Sequence, residues 1–174
     1  TTSNKPLMTP ADVAGLKLRL PTVPTWMAVW REMGAEPIPI PLTGLFAALQ
    51  EGRAEASEGD LTQISSFRLN EVQTHLTMTN HLVMTGGMMI NTNFLASLSR
   101  RDQTLITKAV EEASQWASDR FMATEASILA DLKQRGMQIV VPDAAAFRAK
   151  GKPAVEALFR TEWPVTTWES VLGK

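Results

Sequence analysis

Cysteine is absent from the 174 residues. That excludes a disulfide scaffold, thiolate catalysis and a cysteine-ligated metal; it is compatible with an oxidising compartment without requiring one. An excess of positive charge is lacking too: seventeen Lys and Arg face eighteen Asp and Glu, a formal net charge of −1. Nothing therefore speaks for nucleic acid as a partner, and no block of one sign reads as a charged tail. No apolar run approaches the roughly 20 residues that span a bilayer. The opening residues, Thr1 to Pro6, are polar and show no signal peptide; a mature secreted protein and a fragment cut from the middle of one would both begin this way. Internal repeats and low-complexity linkers are missing. The two histidines, His75 and His81, have no other strong ligands at metal-binding spacing. No strained serine elbow, paired base or phosphate-loop pattern accompanies the serines and glycines. Enzyme chemistry has no positive support, and no cofactor or metal is implied.

What is present is enough apolar residue, 44%, for one domain with a real core. Thr9-Pro10-Ala11-Asp12 has the form of a helix start, with Asp12 able to reach back to the cap. Leu16 to Leu20 alternates apolar and polar, a strand that Pro21 ends. Trp26, Met27, Val29, Trp30 and Met33 recur at helical spacing before Gly34. Pro37, Pro39 and Pro41 remove ladder donors, so the strand around them should be short or at an edge. A helix from Thr43 to Gly52 and a short strand over Ala54–Ser57 follow. Strand, helix, strand, helix, strand is the pattern of a parallel sheet covered by helices.

Further along, His75 to Thr79 and His81 to Ile90 read as β-structure, the second interrupted by Gly86-Gly87. The longest helical pattern starts at Ser99 and carries Ile106, Val110, Ala113, Ala117, Phe121, Thr124, Ile128 and Leu132 on one stripe, with no proline or glycine before Gly136. A strand over Met137–Val141, a helix over Asp143–Arg160 and a tail with Trp163 and Trp168 complete the chain.

Ligands of open α/β sheets collect at the carboxyl ends of the strands. Arg19 lies at one such end, and Glu58 and Gly59 just beyond another. A guanidinium is planar, permanently charged and matched to a carboxylate fork, although a strand-end arginine is often only a solvated surface residue. Trp26 and Trp30, four apart on a helix, read as core, with Trp26 alternatively walling a pocket.

Several short segments, in order and at their spacings, resemble one family. Gly15-Leu16-Lys17-Leu18-Arg19-Leu20-Pro21 is similar to the "GLKIRVP" segment of the solute-binding proteins of TRAP transporters. Met33 to Ile40 resembles their "LGAxPTPM", Leu45 to Gly52 their "VYTALQTG", and Asn70-Glu71-Val72-Gln73 with Thr79-Asn80-His81 their "YEVQKYLxxTNH". The likeness covers nearly the whole chain and weakens after about Gln138.

The resemblance implies an α/β, periplasmic-binding-protein-like lobe with a parallel-type sheet, a hinge strand and one long lobe-spanning helix, the N-terminal lobe being missing from this chain. By it, residues 1–80 form a ligand-binding lobe segment and 81–98 a hinge or crossing strand. Residues 99–136 form the spanning helix, and 137–174 a strand and helices packing back on the lobes. It implies that Arg19 pairs with a substrate carboxylate and that Glu58 and Gly59, in the segment matching "DGQENP", line the pocket. Thr22 and Leu42 are pocket-side by the same alignment. Gly59 stands where an asparagine is frequent, which would leave room and remove a donor. The implied role is periplasmic capture of a small organic acid for a TRAP membrane permease, without cofactor. The alternative is a ligand-sensing domain of a related receptor.

Overall fold

In a computed structural model, which describes residues 1–83, 85–171 and 173, the sheet has six strands in the order β3-β2-β4-β1-β5-β6. They are β1 (Thr2–Ser3), β2 (Lys17–Leu20), β3 (Glu36–Pro39), β4 (Ala56–Ser57), β5 (His75–Thr77) and β6 (Gln138–Val140). The helices are α1 (Pro24–Glu32), α2 (Leu45–Gln50), α3 (Leu61–Ser66), α4 (Thr92–Ser97), α5 (Arg100–Gln134), α6 (Ala144–Thr161) and α7 (Trp168–Val171). β2 pairs in parallel with β3 and β4, and β5 with β6, while β1 runs antiparallel to both β4 and β5. Five strands therefore share one direction. The sheet is mixed rather than purely parallel, and the exception is a strand with no apolar pattern to announce it: Thr1, Thr2 and Ser3 are buried polar residues.

The proline-rich strand takes the edge. Glu36 and Ile40 donate their backbone N–H groups to the carbonyls of Leu16 and Leu20 at 2.8 and 3.1 Å. Pro37 and Pro39 fall on the alternate positions, where the missing donors cost no ladder bond. Leu18 and Leu20, pointing to one face of β2, join Leu7, Val13, Trp30, Met33 and Phe147 in the main apolar cluster. Each fully buried leucine there contributes about 1.5–3 kcal/mol. α1 packs on α6 over this face, and Gly151 of α6 lets the two helices approach. A Cβ there would stand 3.5 Å from Met33 Cε and 3.6 Å from Val29 Cγ1. Trp30 is core at 2% exposure, and Trp26 is half-buried.

The expected helix start at Thr9 is a single 3₁₀ turn, Pro10–Val13. Asp12 does reach back, accepting from Thr9 N at 2.8 Å. That bond, ahead of those from the Thr9 hydroxyl and Met8 N, holds its carboxyl below the usual range.

Contacts divide the chain into two units, Thr1–His81 with Asp131–Lys174, and Leu82–Ala130. The first holds the whole sheet. The second contains α4, capped by Asn91 Oδ1 on Phe94 N at 3.0 Å, and most of α5. α5 is one uninterrupted helix of 35 residues, about 52 Å long at 1.5 Å per residue. Its apolar stripe is bare in the middle: every residue from 111 to 123 is exposed, whereas Ile106, Val110 and Ile128 are half-buried and Leu132 is fully buried. No described helix is long and apolar enough to cross a membrane.

The strand expected over 81–90 is not formed among its described residues, Met84 lying outside them. None of its described residues is paired in the sheet. Extended backbone without a ladder partner does not make a strand, and Gly86-Gly87 adds no side chains to pack.

Candidate functional site

The carboxyl ends of the five co-directional strands bring together residues that are far apart in sequence. Arg19 is opposite Ser57 in the β2–β4 ladder, so Glu58 and Gly59 are one and two residues further along the neighbouring strand. β1, running the other way, brings its first residues to this same edge. Thr79 and His81 follow β5 there.

Arg19 is the largest fully buried side chain among the described residues, at 2% exposure. It points away from the leucine face of β2, and its Nε donates to the carbonyl of Ile40, just past β3, at 2.8 Å. Among the described residues its terminal guanidinium nitrogens make no hydrogen bond, and no carboxylate comes within 4.0 Å of it. Burial pulls its pKa below the ordinary arginine value, and the negative charge of Glu58 opposes that shift. Arginine nevertheless stays protonated in proteins, so the site holds a cation with its fork open.

Glu58 is 5% exposed. Its Oε2 stands 3.4 Å from His81 Nε2. The other ring nitrogen, Nδ1, shares a 2.8 Å hydrogen bond with Thr79 Oγ1, which in turn meets Thr1 Oγ1 at 3.0 Å. The Trp30 and His81 rings pack edge to face with centroids 4.9 Å apart. A buried Glu58 carboxyl thus lies beside the ring of His81, whose Nδ1 is hydrogen-bonded to Thr79.

Gly59 is not next to empty space. A Cβ built on it would overlap the side-chain amide of Gln63, with Cδ at 2.8 Å. Gln63 Nε2 donates to the Glu58 carbonyl at 3.3 Å, and Gln63 N is held by Asp60 Oδ1 at 2.8 Å, the cap of α3. The expected vacancy is corrected accordingly: the side-chain space at position 59 is occupied by the Gln63 carboxamide. Thr22, two residues past β2, is exposed. Leu42 opens the 3₁₀ turn two residues after the carbonyl that holds Arg19 and is 41% exposed.

The structure therefore gathers Arg19, Glu58 and Gly59 at one edge, with Thr22 and Leu42 on the loops that leave it. His81, Thr79 and Gln63 were not picked out by sequence reasoning. His81 starts the stretch expected as β-structure, and its partner Glu58 is too distant in sequence for any local spacing to signal the pair. Among the described residues no three histidine, aspartate or glutamate side chains converge; the arrangement offers charge pairing and hydrogen bonding. One open concavity, bordered by Asn4, Gly15, Leu16 and Glu55, lies at the opposite, amino-terminal edge of the strands, away from this chemistry.

Comparison with known proteins gives one consistent result. The profile of the family described as bacterial extracellular solute-binding protein, family 7, matches residues 1–162. A solute-binding protein of Roseobacter denitrificans is 35% identical over 90% of this chain and 48% of its own length. The sialic acid-binding periplasmic protein of Vibrio cholerae is 31% identical over 88% of this chain and 48% of its own. Among solved structures, a TRAP periplasmic solute-binding protein of Roseobacter denitrificans with bound L-galactonate superposes with a TM-score of 0.79 at 35% identity, over 90% of this chain and 52% of that one. Another from the same organism, with bound β-D-glucuronate, gives 0.87 at 26% identity, over 94% and 55%. The chain spans about half the length of the curated relatives it matches.

Proposed function

Because the chain belongs to bacterial extracellular solute-binding protein family 7, the solute-binding proteins of TRAP transporters, we propose that the protein containing it captures a small organic acid in the periplasm and delivers it to a TRAP membrane permease. Arg19 takes the carboxylate of that acid. Glu58, Gly59, Thr22 and Leu42 border the ligand, and the other half of the family length completes the cleft as an N-terminal lobe. Binding and release make no covalent change in the ligand, so the role is not enzymatic and needs no cofactor.

One observation carries the reading: an arginine residue at 2% exposure whose terminal guanidinium nitrogens have no hydrogen-bond partner among the described residues. Burying a charge without a paired, hydrogen-bonded partner is expensive, and Glu58 offsets the burial of Arg19 only from beyond ion-pair distance. An incoming carboxylate offsets that cost with a bidentate, charge-assisted pair. The chemistry in the relatives' names points the same way, since the bound molecules include a galactonate and a glucuronate.

The test is to purify the full-length protein, release what it carries by denaturation, and identify it by mass spectrometry. Calorimetry with a set of organic acids follows. A carboxylic acid bound at one site per molecule is the expected result. A full-length protein that binds only neutral or cationic solutes would overturn the reading.

A further inference from the structure

We infer that Gln63 is a specificity-determining residue of this site, and that it reads a hydroxyl group on the acid held by Arg19. The inference rests on the acid-binding reading and adds to it a residue and a ligand class. Gly59 is two residues along β4's exit from the level of Arg19, and adjacent strands are only about 4.8 Å apart. Whatever occupies the side-chain volume of Gly59 is therefore beside the Arg19 edge. That occupant is the Gln63 carboxamide. One Nε2 hydrogen is engaged by the Glu58 carbonyl, and the backbone of Gln63 is pinned by Asp60, so the amide is held rather than free to swing. Its Oε1 accepts no hydrogen bond among the described residues, and that atom is not among the buried polar atoms left without a partner. A second Nε2 hydrogen is also uncommitted. A half-buried amide presenting one acceptor and one donor matches a hydroxyl, which can satisfy both. Glu58, an acceptor when ionised, favours the same chemistry over a second carboxylate. The ligand class is a hydroxylated acid rather than a plain alkyl carboxylate or a dicarboxylate.

The experiment uses the full-length protein and calorimetry against L-galactonate, β-D-glucuronate and sialic acid, with succinate and unhydroxylated hexanoate as controls; the tightest hydroxylated binder is carried forward. Gln63→Ala should weaken that acid by about five- to tenfold, the size of one hydrogen bond, and leave the weak affinity for hexanoate unchanged. The exchange variant Gly59→Asn with Gln63→Ala returns an amide from the other position and should recover affinity to within about threefold; position 59 does not have the left-handed backbone that would strain asparagine. Gln63→Ala lowering both acids equally, or the exchange variant failing to recover while unfolding at the wild-type temperature, overturns the inference. A wild-type preference for succinate overturns it too. Arg19→Ala keeps the two levels apart. If it abolishes binding while Gln63→Ala changes nothing, acid capture stands and the role of Gln63 fails. If it leaves binding intact, acid capture itself fails.

Discussion

Arg19 keeps its charge where water has little access, and its one protein partner, the Ile40 carbonyl, engages only Nε. Removing one member of a buried charge pair costs about 2–5 kcal/mol in binding. Arg19→Ala in the full-length protein is therefore expected to weaken ligand binding by more than about thirtyfold, since about 1.4 kcal/mol is a factor of ten. Arg19→Lys should also bind poorly, because an ammonium cannot reproduce the planar fork. Calorimetry checks both, and near wild-type affinity for the lysine variant would rule out the bidentate role. Arginine at a strand end was legible in the sequence because strand direction and ligand location are linked by a general rule. His81 and Gln63 were not. His81 acquires its place through a tertiary contact with Glu58, which leaves no spacing to read, whereas Gln63 sits three residues after the Asp60 cap of α3, a spacing that signals a helix start and says nothing of a ligand.

Regular elements announce themselves by period, and the parts of this fold that do so were readable. α1, α5 and α6 follow apolar repeats, and β3 was expected at an edge because of its prolines. β1 was invisible because two polar residues carry no alternation, and their burial depends on the strands on either side. The stretch 81–90 shows the reverse error, since apolar composition without a ladder partner does not make a strand. The α1–α6 contact gives a test at this scale. At Gly151 an added methyl group would meet Met33 and Val29 at ordinary van der Waals distance. Glycine inside a helix costs about 0.5–1 kcal/mol relative to alanine. Gly151→Ala should raise the thermal midpoint by about 1–4 °C. Gly151→Leu must push the helices apart and should cost about 1–3 kcal/mol. Thermal unfolding followed by circular dichroism separates the two, and destabilisation by alanine would show that the helices have no room to spare.

At the scale of the molecule, α5 poses a question that its own chain does not answer. Trp116, Phe121 and Met122 are 67%, 47% and 68% exposed, in the section where no residue is covered. Ion pairs and hydrogen bonds along the helix, such as Lys108 with Glu112 at 3.8 Å and Gln115 with Asp119 at 2.8 Å, contribute only about 0.2–0.5 kcal/mol each. Most helical stability in proteins comes from packing an apolar face, and an unpacked central section opens readily to solvent. The relatives are about twice as long as this chain, and the half they add is the proposed cover. Hydrogen exchange read by mass spectrometry should then find residues 111–123 exchanging fast in the 174-residue chain by itself. In the full-length protein the same amides should slow by at least about tenfold, which corresponds to about 1.4 kcal/mol of added protection. Amides around Leu132, buried within the sheet-containing unit, should change far less and serve as the internal reference. Equal exchange of 111–123 in both proteins would mean that the middle of α5 stays bare in the complete molecule, and that its aromatic residues face something other than the rest of their own chain.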